Sequence, residues 1–344
     1  MSLDTLLGTS WTIHSLDAVP LPAELQSHLR SQSAPDTIRY WRELGDQLYE
    51  HILHHSRSLK DDFDTESKKR GHLTACDWTL IRSINADTDL EDGVPPLGFL
   101  IEIKYSKTTH RIVLVIGYTP DTSNDPTTGR ERPTDISNHF QIIRLLAKCP
   151  ASHLKHVLRF LDQSFRLNSE DSITQQHLPS STILIACARY LSHCDTIDEN
   201  EVLRQALIRR SIGDLKIGIT ISAPEVAAKL KTVDVDVPAD TVVTLLGEAR
   251  KNGSGFLGEL AKHLHLRTGL RLPLDVRAEA SESLDAPTPW QVSKIACSAF
   301  AISTDGRMKL GRKPIDGAEV LGVGGKLLLN AAHEVFDVMC KGKE

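Results

Sequence analysis

Apolar positions recur at helical spacing over residues 36–53, where Ile38, Trp41, Leu44, Leu48, Ile52 and Leu53 fall on one face behind a capping Asp36. The pattern then changes. Residues 72–84 alternate roughly, 97–106 carry a short apolar run, and 111–118 form a near-continuous β-branched stretch. Such a stretch is expected of a central strand buried on both sides. Helical spacing returns over 136–148 and 152–165, separated by Pro150. Residues 181–188 fit a buried strand or a short helix, and 199–211 a helix. A strand is predicted over 216–222, followed by a helix at 225–231 behind Pro224. Residues 233–237 alternate valine with aspartate until Pro238 stops them, and 239–267 are helical around a Gly-rich break. A Pro- and acid-bearing connector covers 273–289, and 320–339 make a Gly-rich turn and a closing helix.

This order predicts a mixed α/β protein in three regions. Residues 1–35 are a loosely structured N-terminal arm with short turns. Residues 36–198 are an α/β core of the order helix, three strands, helices, strand. Residues 199–344 are a helix-rich C-terminal region.

Composition narrows the class. The chain has 344 residues, 40% apolar and 25% charged, enough to bury a sizeable core. Aromatics make up only 5%, so aliphatic side chains must carry that core. The net charge of −5 excludes a wholly basic nucleic-acid coat but leaves room for a local basic groove. Six dispersed cysteines without a C-x-x-C pair read as reduced, mostly buried thiols. There is no basic, apolar leader and no run long enough to cross a bilayer. The expectation is a cytoplasmic or nuclear protein, not secreted and without a membrane partner.

One pattern carries candidate chemistry. Asp77 lies on one predicted strand, and Glu102 and Lys104 lie two apart on the next, so the latter two project to one side. If the strands form an antiparallel hairpin, Asp77 comes beside Glu102. Two carboxylates at that distance repel and call for a cation such as Mg²⁺, which can activate water for attack on a phosphate. Lys104 would then stabilise the developing charge. Asp87, Asp89, Glu91 and Asp92 are alternatives for the first acid. A solvated strand face or a cross-strand ion pair accounts for the same residues without chemistry.

The Asp…Glu-x-Lys arrangement, with its element order, resembles the PD-(D/E)xK nuclease superfamily over residues 36–190. The resemblance implies a Mg²⁺-dependent hydrolase acting on DNA or RNA. Asp77 and Glu102 would be the metal ligands, and Asp77, Glu102 and Lys104 the catalytic set. Gln141 is similar to a polar helix residue that often faces that site, and Glu50 to an acid sometimes found on the first helix. Arg144, Lys148, Lys155 and Arg159, on the predicted helix pair 139–166, would add a basic face for nucleic acid. Arg307, Lys309, Arg312 and Lys313 form a second basic cluster. The rival readings are a non-enzymatic assembly protein, such as a nucleocapsid or coat subunit forming a homo-oligomer, and an interaction module with no active site. Gly253-Ser-Gly255-Phe-Leu-Gly258 has dinucleotide-site spacing but follows a helix, so it reads as a helix end and turn.

Overall fold

The structure, a computed structural model, describes residues 8–30, 35–58, 69–81, 98–119, 139–165, 173–195, 200–221, 231–269, 274, 290–311, 335 and 338. The expected helix at 225–231, the connector 273–289 and the closing 320–339 lie essentially outside these residues. So do the alternative acids at 87–92, and Arg312 and Lys313. The fold is mixed α/β, in two compact units. One lies within Thr12–Gln175. The other lies within Gln176–Glu344, with the first residues of β1.

The first unit contains strands β1 (Ser10–Pro20), β2 (Leu73–Ile81), β3 (Gly98–Tyr105), β4 (Thr109–Thr119), β5 (His139–Lys148) and β6 (Thr174–Gln175). Its helices are α1 (Ala23–Arg30), α2 (Pro35–Ser58) and α3 (Ala151–Phe165). The strands form an antiparallel sheet in the order β2-β3-β4-β5-β1, with β6 beside β1. The helices cover one face. There Leu44, Leu48 and Ile52 of α2 and Val157, Leu158 and Leu161 of α3 share a core with Trp78, Phe99, Ile101, Ile103, Ile112, Leu114 and Leu145. Alternation along the strands puts Leu100, Val113, Val115 and Leu146 on the opposite face, where they too are buried. The centre of this sheet is therefore buried on both sides.

The closing strand of the expected core, the strand-or-helix segment 181–188, lies in a helix (Ser180–Asp195), and the region 199–344, expected to be helix-rich, carries five strands among its described residues. Two further elements differ from the expected ones. Residues 139–148 are strand β5, not the end of a helix 136–148. Its alternation is broken by an irregularity opposite Val115 and Ile116, where Arg144 and then Ile142 find partners and Ile143 does not. With both faces buried and one residue out of step, apolar positions fall at spacings that imitate a helix. Residues 10–20, placed in an arm, form β1, with Trp11 and Ile13 buried. The order through this unit is thus four antiparallel strands before the next helix.

The second unit contains α4 (Ser180–Asp195), α5 (Glu201–Ile212), β7 (Leu215–Ile221), β8 (Thr232–Val237), α6 (Ala239–Asn252), α7 (Phe256–Thr268), β9 (Trp290–Ala296), β10 (Phe300–Ser303) and β11 (Arg307–Leu310). Its antiparallel strands run in the order β11-β10-β9-β7-β8. Gly253 caps α6 at φ 62°, with its own N–H donating to the Arg250 carbonyl and the Ser254 N–H to the Ala249 carbonyl. That is the helix end expected for this glycine, which adopts the left-handed region without a side-chain penalty.

Candidate functional site

Strand register builds the site. Asp77 on β2 is paired with Glu102 on β3, Glu102 with Arg111 on β4, and Arg111 with Lys148 on β5. Strand alternation sets all four on the face opposite the helices. They form a row across four strands, two acids followed by two bases. Lys104, two residues on from Glu102, joins the acidic end.

The acids have cations from within the chain. Lys104 Nζ lies 2.6 Å from Asp77 Oδ2 and 3.9 Å from Glu102 Oε2. Arg111 Nε donates to Glu102 Oε1 at 2.8 Å. The hydrogen bond to Asp77, reinforced by the charge of that acid and of Glu102, holds the Lys104 ammonium above its ordinary pKa. The amine is thus kept protonated and directed at Asp77. The Asp77 and Lys104 side chains are 47% and 43% exposed and Glu102 only 13%, so the Glu102–Arg111 bond is the better shielded. Among the described residues, no group of three or more His, Cys, Asp or Glu is arranged to hold a metal ion.

The basic candidates do not come together. Gln141, Arg144 and Lys148 sit on β5, on the face that carries the charged row. Lys155 and Arg159 sit exposed on α3, which covers the other face. The sheet lies between the two groups, so a basic helix pair is replaced by two separate sets. Glu50 is exposed on α2.

Sequence reasoning missed Arg111. Its place beside Glu102 follows from the tight β3–β4 turn, which fixes the register. The signal available was the short polar stretch 106–110 between two apolar runs, a hairpin loop that puts Arg111 opposite the acid of Glu-x-Lys.

Acids are thus answered by bases across this antiparallel sheet. The sequence model of the centromere protein L family, CENP-L, matches residues 5–335, and the chain belongs to that family. A comparison with curated proteins finds no match. The family match runs through both units and corrects the nuclease resemblance, with the hydrolase and nuclease function it implied. The fold agrees with the correction. The strand β5 stands where the resemblance placed a helix. The expectation of Mg²⁺ was tied to that activity and goes no further.

Proposed function

We propose that this chain is a non-catalytic subunit of a protein complex at the centromere, and so works in the nucleus. The observation that carries this reading is the family match over residues 5–335. The charged row supports it, since Lys104 and Arg111 are engaged by its acids Asp77 and Glu102. Antiparallel strands and helices offer strand edges and helix faces to protein partners. Of the rival readings, the interaction module without an active site fits best.

The test is localisation of the fluorescently tagged chain in cells of its source, beside a marker of centromeric chromatin. Wild type and Lys104→Ala are both expected in nuclear foci that coincide with the marker. A chain that is cytoplasmic, or spread evenly through the nucleus with no such foci, overturns the proposal.

A further inference from the structure

Arg307 and Lys309, the described half of the second basic cluster, lie on β11 in the second unit. Strand register adds to them. Lys309 is paired with Ala301 on β10, Ala301 with Ala296 on β9, and Ala296 with Lys216 on β7. In the next row Ser303 is paired with Lys294, and Lys294 with Gly218. Alternation sets all of these on one face, and Ile295, Phe300, Ile302, Met308 and Leu310 on the other, where they are buried. On the outer face Lys216, Lys294, Arg307 and Lys309 are exposed, and the small Ala296, Ala301 and Ser303 between them are half-buried.

Bases thus stand on both sides of a lane of small side chains along β10. Strands β9 and β11 are two strand spacings apart, about 10 Å. The bases are little used within the chain. Arg307 Nε lies 3.2 Å from Asp305 and Lys216 Nζ 4.0 Å from Asp236, both pairs open to solvent. Lys294 and Lys309 form no ion pair among the described residues.

Three observations define the occupant. Strand β10 is hydrogen-bonded to a strand on each side, so no strand can join it, and a segment lying in the lane must satisfy its own backbone, as a helix does. Two residues of β11 advance about 6.6 Å and four helical residues about 6 Å, so carboxylates at i and i+4 of a helix along the lane meet Arg307 and Lys309 together. Asp234 and Asp236 of β8 hold the far edge of the same face, where they repel a polyanion crossing the whole sheet but not a helix confined to β9–β11. Trp290 and Phe300 pair with the buried Ile221 and Leu310 on the core side, which leaves the lane without an aromatic platform for unstacked bases.

We infer that the lane over β10 receives an acidic helix of a partner protein, with small residues toward Ala301 and carboxylates on both flanks, two of them four residues apart toward Arg307 and Lys309 and one toward Lys294. This rests on the reading of the chain as a protein-binding subunit and narrows it to one surface.

The probe is the peptide Ser-Glu-Ala-Glu-Gln-Glu-Ala-Gln-Gln-Ala-Glu-Gln, held helical by a hydrocarbon staple on the side away from its alanines. It is titrated into the full chain carrying labelled alanine methyl groups and followed by NMR. Saturable shifts of the Ala296 and Ala301 methyls are expected. A stapled peptide of the same composition, with its glutamates spread round the helix, should bind about fivefold more weakly or worse. Lys309→Glu should weaken the probe about two- to fivefold and Lys309→Gln about twofold, as an exposed ion pair allows, with the circular dichroism of the chain unchanged. Lys251→Glu, the same change of charge at an exposed position on α6, should leave binding as it was. No saturable shift of the two methyls, equal binding of the spread peptide, or equal loss in Lys251→Glu overturns the proposal. So does a DNA duplex that shifts the same methyls and displaces the probe at lower concentration, which would make the lane a nucleic-acid surface. These outcomes are independent of centromeric foci, so either proposal can fail alone.

Discussion

The two faces of the first unit's sheet hold their polar residues on opposite terms. On one, Asp77, Glu102, Lys104 and Arg111 are charged, paired and largely within reach of solvent. On the other, histidines are shut in beneath two helices. His153 Nε2 of α3 lies within hydrogen-bond reach of Arg70 Nη1 and, at 2.8 Å, of Tyr105 Oη. The His110 ring lies tilted beside it, with centroids 4.7 Å apart. A second group joins His51 and His55 of α2, 4.2 Å apart, to His156 of α3. Burial, then the cationic neighbour Arg70 and the rings of His110 and His156, push His153 down to about 3. Burial, then His55 and His156, push His51 down to about 4. The charged face draws attention in the sequence, yet exposed pairs contribute little. The histidine face shows no motif, yet burial first, and charged or ring neighbours second, favour the neutral form of His51 and His153. A conspicuous pattern and a consequential one therefore lie on different sides of one sheet.

The largest effect tests what keeps the histidine face closed. Helix α2 lies so close to β2 that a Cβ at Gly45 would meet the Cys76 carbonyl oxygen at 2.3 Å. Both contacting groups are backbone, so α2 must move outward to admit a side chain. Gly45→Val is expected to cost at least about 2 kcal/mol in urea unfolding. A loss within error of zero would show that α2 is free to shift, and that the histidines are not sealed by it.

Next is acid. His51 and His153 have folded pKa values below the unfolded value of 6.5, so the unfolded chain binds more protons as pH falls. Stability should be full above about pH 7, decline as pH drops below 6.5, and level off below about 3 as far as these two groups decide it. His153→Gln, which removes the titrating group and keeps polar atoms near Arg70 and Tyr105, should flatten this decline while lowering stability at neutral pH. Urea midpoints across pH 4–7 check both. A decline unchanged in His153→Gln would assign it to other groups.

How much of this was legible follows from the same contrast. Helix α2 was plain because one face is apolar and the other charged. Strands β7 and β8 were plain because 233–237 alternate cleanly and 216–222 are β-branched. The β2–β3 register was legible too, since the Asp77–Glu102 pairing followed from a hairpin of two recognised strands. Strand β5 was not, because burial on both faces and one unpaired residue erased its period of two. Strands β9, β10 and β11 are short and find their place only by pairing, β9 beside β7 and β10 and β11 in turn beside it. The histidine cluster was illegible for a different reason. His51, His110 and His153 come from three elements, and only the packing of α2 and α3 on one sheet makes them neighbours.

The smallest effect bears on the charged face itself. Lys104→Ala leaves Asp77, at 47% exposure, free to be met by water, and Asp77→Asn leaves Lys104 equally open. Each change, and the coupling between them in a double-mutant cycle, should fall within about 0.2–1 kcal/mol. Arg111→Ala should cost more than either, because Glu102 is only 13% exposed and loses its 2.8 Å partner. Added salt should shrink the Asp77–Lys104 coupling more than the Arg111 effect, since the partly buried pair is screened less. If Lys104→Ala instead cost several kcal/mol, the face would be a buried network like its counterpart, and the division between the two sides of the sheet would not hold.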